Sequence, residues 1–461
     1  MSPLTAAYAD FAARVAAGGQ DIPADALAVA GTGFVDALGV MAAGAREPVV
    51  QVLAGRALRD GGVPESALAL RADRVPASVA ALVNATAAHA LDFDDFAFSN
   101  HPSAVLVPAL LAAAQSSPVP VTGRQLLRAY VAGYEIWADA FVRESDLYYD
   151  QGWHPTSVFG TLGAAAAAAI VWGLDATRLR HALALAASAS GGVFENFGTM
   201  AKPWHGGRAA QVGVDSARLA QCGLSASATA IEGPHGMLRA FSPKGAVDRE
   251  RPFVAGGPWQ ILRFRLNLKR YPVVGAAQRC IDAVLGLLEA APVDVARVRR
   301  IETHVSRRHA AVMPHHRPQD SLQAKFSLEF AVACALLRGR VGLAELRDEV
   351  VRDAQVQRLM AAVEIQTTED FEPGWRDAAP FDQVFVHLDD GTVRESPAVR
   401  RPLGHADRPF SPEQTAQKCL DNLAHAGLQP AAAQALLHAF QGLDACPDAR
   451  TLPWPVSPGP R

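Results

Sequence analysis

Gly163-Ala164-Ala165-Ala166-Ala167-Ala168-Ala169-Ile170-Val171-Trp172 forms the heart of the longest apolar run in the chain, residues 158–174. The run contains three glycines and falls short of the roughly 20 residues needed to span a bilayer. It therefore reads as a buried helix. Outward from it, Ala-rich segments with helical spacing recur at 24–41, 76–91, 103–115 and 123–142, the composition of a helix bundle. Asp175, following Gly173, reads as the N-cap of a further helix to residue 189 that stops at Gly191-Gly192. Short helices joined by short loops predict antiparallel packing.

The chain has 461 residues, 50% hydrophobic and 19% charged, enough for two or three domains' worth of core. A net charge of -3 offers no global field for nucleic acid, so an anionic ligand needs a local basic pocket. The five cysteines (Cys222, Cys280, Cys334, Cys419, Cys446) are odd in number and scattered, with no CxxC pair. That argues against a disulfide framework or a zinc site and fits a reducing cytoplasm. Residues 1–18 read as an amphipathic helix and not as a signal peptide, so neither export nor a membrane partner is expected.

Near Pro252 the texture changes, as Gly, Pro and aromatic residues replace the Ala runs. Residues 299–305 and 383–388 alternate as half-buried strands, and Asp390-Gly391 marks a β-hairpin into 392–394. Helical spacing returns at 324–338, 412–426 and 431–440, and the last dozen residues read as a loose tail. The fold class is mainly α with an α+β part: a large all-helical domain plus a smaller α+β domain.

Three segments carry chemistry. His89-Ala90-Leu91-Asp92-Phe93-Asp94-Asp95, followed by His101-Pro102-Ser103, packs carboxylates and imidazoles beside apolar sequence. These are the groups that burial and neighbours bring near neutral pH for acid–base work; capping of helix ends is the competing reading. Gly152-Trp153-His154-Pro155 places a histidine at a helix mouth, where N–H groups favour anions. Lys202-Pro203-Trp204-His205-Gly206-Gly207-Arg208 sets a Lys, a His and an Arg ahead of a helix, an arrangement that would grip a carboxylate.

No dinucleotide loop, phosphate cradle or GxSxG elbow occurs, and no cofactor or metal is expected. His315-His316, flanked by prolines and with no carboxylate nearby in sequence, reads as a surface loop. Asp92-Phe93-Asp94-Asp95 also fits the DxDD acid of a terpene cyclase, but aromatics are only 7% of the chain and such a pocket needs many.

In their order and spacing these segments resemble the MmgE/PrpD family. So do Ile231-Glu232-Gly233-Pro234-His235-Gly236, Lys269-Arg270-Tyr271-Pro272, Ala324-Lys325-Phe326-Ser327 and Asp390-Gly391, so the resemblance covers nearly the whole chain. It implies a helical domain built from both chain ends (1–265 and 405–461), an inserted α+β lid (266–404) and a homodimer. It also implies a cofactor-free lyase that dehydrates or decarboxylates a small carboxylic acid by proton transfer next to a carboxylate. An epimerase of a dicarboxylate such as iminodisuccinate and a catalytically lapsed family member are the alternatives.

By motif position, the resemblance implies Asp92, His101, His154 and Lys202 as catalytic residues in the cleft between helical domain and lid. His205, Arg208, Phe96, Tyr271, Gln278 and Phe330 are the implied substrate contacts. Three of these depart from the family pattern: Phe96 replaces a Thr, Gln278 the lid histidine (with Val273 and Val274 in place of cysteines) and Phe330 a Tyr. Losing those polar groups predicts a smaller or more apolar substrate and poor acceptance of 2-methylcitrate or cis-aconitate.

Overall fold

A computed structural model describes residues 3–372 and 378–454. The Ala-rich run lies in helix Pro155–Val171, every residue of which is buried. Pro155 fits the first turn, where no N–H partner is needed, and the small side chains let neighbouring helices approach closely. Against it pack Leu4–Ala16, Pro102–Gln115, Gly123–Phe141, Ala176–Ser188 and Ala201–Gln221, and Ala24–Gly44 and Ala77–Ala90 pack on these in turn. Asp175 does cap its helix, accepting from the Arg178 N–H at 2.8 Å.

One apolar core runs from Leu4 to Leu268 and resumes at Cys419 through Ala449, so both chain ends build it. Helices Pro412–His425 and Pro430–Gln441 complete this unit. Among the described residues Ala24–Gly44 alone is long and apolar enough to cross a membrane, and most of its apolar stretch is buried among its neighbours.

A second core runs from Tyr271 to Val386. Helices Gln278–Ala290, Leu328–Arg338 and Ala354–Met360 pack there against a four-stranded sheet. Its central strand Val298–Ser306 pairs in parallel with Val363–Thr368 and antiparallel with Gln383–Leu388, so Ile301 lies opposite both Val363 and Val386. The Asp390-Gly391 turn leads into the edge strand Val393–Glu395, with Gly391 at φ +82°. A buried Arg279–Asp382 pair at 2.6 Å ties the first helix of this unit to its sheet.

Two expectations need correction. The helix expected over 324–338 is broken: Ser321–Ala324 ends, and Leu328–Arg338 starts afresh with Ser327 accepting from the Phe330 N–H. A serine ahead of an apolar run competes for the backbone and caps a new helix, which leaves Lys325 and Phe326 in the break. The chain end is also not loose as far as it is described, because Trp454 Nε1 donates to the Leu68 carbonyl at 2.8 Å. Residues 455–461 of the expected tail lie outside the described residues.

The α+β unit leaves and rejoins the helical unit side by side. Phe96 and Asn267 exchange backbone hydrogen bonds, and Leu268 N–H donates to Gly404. That seam borders the Asp92 motif.

Candidate active site

Helix Ala77–Ala90 ends directly before Asp92, and a helix C-terminus presents unsatisfied carbonyls and partial negative charge. Four buried lysines from separate parts of the chain meet this end. Lys325 Nζ donates to the Ala90 carbonyl at 2.9 Å, Lys418 Nζ to that of Phe93 at 2.8 Å, and Lys269 Nζ to that of Asp92 at 2.8 Å. Lys269 also pairs with Asp92 Oδ2 at 2.8 Å, while Lys202 pairs with Oδ1. Burial pushes the Asp92 carboxyl up, but Lys202 and then Lys269 outweigh it and hold it far below the usual carboxylate range. Asp92 is therefore an anion shared by two ammonium groups, and its φ of +49° is rare for a residue other than glycine.

Lys202 reaches this point because helix Ala201–Gln221 runs in backbone contact with Ala77–Ala90. At Gly207 a Cβ would stand 2.1 Å from Thr86 Oγ1 and 2.4 Å from the Leu82 carbonyl. The glycines of the Lys202 segment thus permit the approach that seats its lysine. The Lys202 ammonium lies 5.3 Å from the Phe197 ring centre and 5.1 Å from that of Phe326, at the distance of cation–π contact.

Asp94 sits between two imidazoles. His89 Nδ1 lies 3.0 Å and His101 Nδ1 2.9 Å from Asp94 Oδ2, and His101 Nδ1 is also 3.1 Å from the Asp95 carbonyl. Acceptors alone surround both Nδ1 atoms, so the hydrogen-bond network assigns each a hydrogen and leaves Nε2 with a lone pair in the neutral ring. Burial pushes His89 down to about 4 and also lowers His101, against the pull of Asp94. Burial raises the Asp94 carboxyl, but His89 and His101 outweigh it and hold it well below its ordinary value. Asp95 differs: burial, then Asp36, pushes its carboxyl well up and favours the uncharged form.

His154 is fully buried at the mouth of Pro155–Val171, with its Nδ1 3.2 Å from His205 Nδ1. Its ring stacks on His89 with planes 17° apart and centres 6.1 Å apart. Nε2 of His89 and Nε2 of His154 are both buried without a hydrogen-bond partner among the described residues. Such atoms are costly to leave unmet, and they face no competing internal acceptor or donor.

His89, Asp94 and His101 are also the one set among the described residues whose ligand atoms, within 4.8 Å of one another, have spacing a metal ion could use. Their mutual N–H···O contacts already account for that spacing.

Asp92, His101, His154, Lys202 and His205 thus come together, whereas the other expected contacts do not join them. Arg208 is exposed and donates to Gln211 at 2.9 Å. Tyr271 gives its hydroxyl to Asp282 at 2.6 Å. The Gln278 amide accepts from the N–H groups of Arg270 and Tyr271 and donates to the carbonyls of Tyr271 and Val273, so it ties the segment after Lys269. Phe330 is fully buried in the α+β core. Phe96 is half-buried at the seam, its ring against Gly275.

Sequence reasoning read the stretch holding His89 and Asp94 as an acid–base cluster without naming either as catalytic, and gave Lys269 and Lys325 no role although both stand in quoted motifs; a lysine next to an apolar or aromatic residue, Leu268 or Phe326, was the available signal. His315 and His316 are not a free loop either. His315 Nε2 contacts the Phe197 carbonyl at 3.0 Å, and His316 pairs with Glu329 at 2.8 Å, a carboxylate distant in sequence.

Fold and site together define a two-unit protein that encloses lysine, carboxylate and imidazole groups at the junction of a helical body and an α+β unit. Residues 6–250 match the MmgE/PrpD N-terminal domain and residues 271–442 the MmgE/PrpD C-terminal domain, and the chain belongs to the MmgE/PrpD family. It is 30% identical over 358 residues to a cis-aconitate decarboxylase of Homo sapiens, covering 75% of this chain and 72% of that protein. The cis-aconitate decarboxylase of Mus musculus is 28% identical over 357 residues, with 75% and 71% covered. A cis-aconitate decarboxylase of Aspergillus terreus is 24% identical over 349 residues, with 70% of each chain covered.

Proposed function

We propose that this chain is a cofactor-independent acid–base lyase that removes carbon dioxide from a small polycarboxylate of the cis-aconitate type. The observation that carries this reading is the meeting of Lys202 and Lys269, one from each side of the junction, on the single buried carboxylate of Asp92. A substrate carboxylate that takes up part of this contact meets fixed positive charge where negative charge develops during reaction. Groups preorganised in that way contribute most to such catalysis.

Asp92 is too firmly held as an anion to serve as a base, and we assign it to orienting the two lysines. His101, oriented by Asp94 and presenting Nε2, moves the proton. In decarboxylation the bond to the departing carboxylate breaks, and its electron pair passes onto carbon conjugated with the carboxylate that remains. His101, which takes up a proton at Nε2 from water, delivers it to carbon and returns to the neutral ring.

The relatives named above favour loss of carbon dioxide over loss of water. The expectation against citrate-like triacids rested on Phe96, Gln278 and Phe330, and two of those side chains are engaged within their own unit. Cis-aconitate is therefore the first substrate to test. A second reading, epimerisation of a dicarboxylate, draws on the two neighbouring imidazoles of His89 and His101, each with an Nε2 lone pair to accept a proton.

The experiment is incubation in D₂O with cis-aconitate, 2-methylcitrate or iminodisuccinate, followed by NMR. Loss of carbon dioxide with one deuteron entering the product is the expected result. Deuterium exchange with no group lost would transfer the assignment to the epimerase reading. A protein inert toward all three would overturn both.

A further inference from the structure

Access to the cluster is the unsolved problem it poses. Asp92, Asp94, His89, His154, Lys202 and Lys269 are at most 2% exposed. A substrate reaches them only if contacts between the two units release. Lys269 and Lys325 make such contacts inside the charge cluster. His315 makes one outside it.

The seat for His315 is built for that ring. Gly198 has φ +81°, and a Cβ there would stand 2.1 Å from His315 Nε2, so glycine is required both by backbone conformation and by the ring above it. The imidazole contacts the Phe197 carbonyl at 3.0 Å, and against an acceptor oxygen Nε2 carries the hydrogen. The backbone N–H of His315 donates to the Phe326 carbonyl at 3.3 Å. One residue thus fastens Phe197, from the helical unit, to Phe326, from the α+β unit, and these two rings flank the Lys202 ammonium.

We propose that His315 is the latch of the active site: its hydrogen bond to Phe197 over Gly198 clamps the α+β unit onto the helical unit and positions Lys202, and its release admits substrate. His315 is a positioning residue and touches no reacting atom. Its bearing on turnover rests on the lyase reading above; its bearing on the exposure of Lys202 does not.

The test is pulse acetylation of the purified full-length chain with acetic anhydride, without substrate, with Lys202 modification read by peptide mass spectrometry. His315→Ala should raise the rate of Lys202 acetylation about three- to tenfold, the population change that one lost hydrogen bond allows. His315→Gln, whose amide N–H can reach the same carbonyl, should return it to the wild-type rate. Gly198→Ala, which displaces the ring, should behave as His315→Ala does. His316→Ala, which breaks a contact within the α+β unit only, should leave Lys202 labelling unchanged.

Equal labelling in wild type, His315→Ala and Gly198→Ala would overturn the latch, as would failure of the Gln variant to restore protection. If wild type turns over a substrate, kcat of His315→Ala should fall and be recovered by His315→Gln. Absence of turnover in wild type counts against the lyase reading alone, since the labelling result still decides the latch.

Discussion

Asp92 joins the two units through both its carboxylate and its backbone carbonyl, and it does so from a left-handed conformation that costs on the order of 1–3 kcal/mol. That cost is offset because Lys202 and Lys269 each place an ammonium on it away from water. Removing the anion strands two buried cations, whereas removing Lys202 leaves Asp92 still paired with Lys269. Asp92→Asn should therefore lower unfolding free energy by about 3–5 kcal/mol, and by more than Lys202→Ala does. Urea denaturation decides this, and a milder effect for Asp92→Asn would remove it as the counter-ion. Lys202→Ala should instead cut turnover by about 100-fold or more while the fold persists.

His89 sets a pH dependence whose sign can be worked out. Burial holds its folded imidazole at about 4, below the ordinary value of about 6.5 in the unfolded chain. Between those values the unfolded state binds more protons, so this contribution is fully present above about 6.5 and is lost as pH falls towards 4. His89→Gln, which keeps a donor for Asp94, should lack that loss. At about pH 5 wild type should have lost roughly 2 kcal/mol more than the variant, relative to neutral pH. Parallel pH–stability curves for the two proteins would show that His89 does not remain neutral.

Between elements, distance of approach is the governing quantity. Gly207 lies where helix Ala201–Gln221 touches Ala77–Ala90, and an added methyl meets backbone and hydroxyl. Gly31, within helix Ala24–Gly44, has open space for 4 Å around the place a methyl would occupy, and an ordinary helical backbone. The same substitution should then act in opposite directions. Gly207→Ala should destabilise by about 1–3 kcal/mol and lower turnover by displacing Lys202, whereas Gly31→Ala should stabilise by about 0.5–1 kcal/mol. Thermal unfolding of the pair checks it. Elements with a strong local signal were legible in sequence: the Ala-rich helices, the Asp175 cap and the Asp390-Gly391 hairpin. Strand Val363–Thr368 was not, because only Val363 and Ile365 carry its apolar alternation before it runs into Thr367-Thr368, and its partner Val298–Ser306 lies far away in the chain.

The whole molecule carries two apolar cores joined at a polar seam. Arg279–Asp382 belongs entirely to the second and is almost fully buried. Arg279→Met should cost about 3–5 kcal/mol by stranding the Asp382 carboxylate, and hydrogen exchange should accelerate in the α+β unit while the helical core stays protected. Equal acceleration in both would show that they unfold as one.

At this scale the division between sequence and tertiary structure is plain in particular residues. Periodicity, caps and turns act between neighbours in the chain, so the mainly helical body, the α+β insertion and the motifs around Asp92, His101, His154 and Lys202 could be read directly. The direction in which a side chain spends its polar atoms depends on partners hundreds of residues away. Only packing decided that Gln278 holds the loop after Lys269, that Arg208 turns to solvent and that Phe330 fills the α+β core. Only packing, too, brought Lys269, Lys325 and Lys418 to the end of one helix, where each donates to a backbone carbonyl and also faces a carboxylate, Asp92, Glu47 and Asp36 respectively, that lies far from it in the chain.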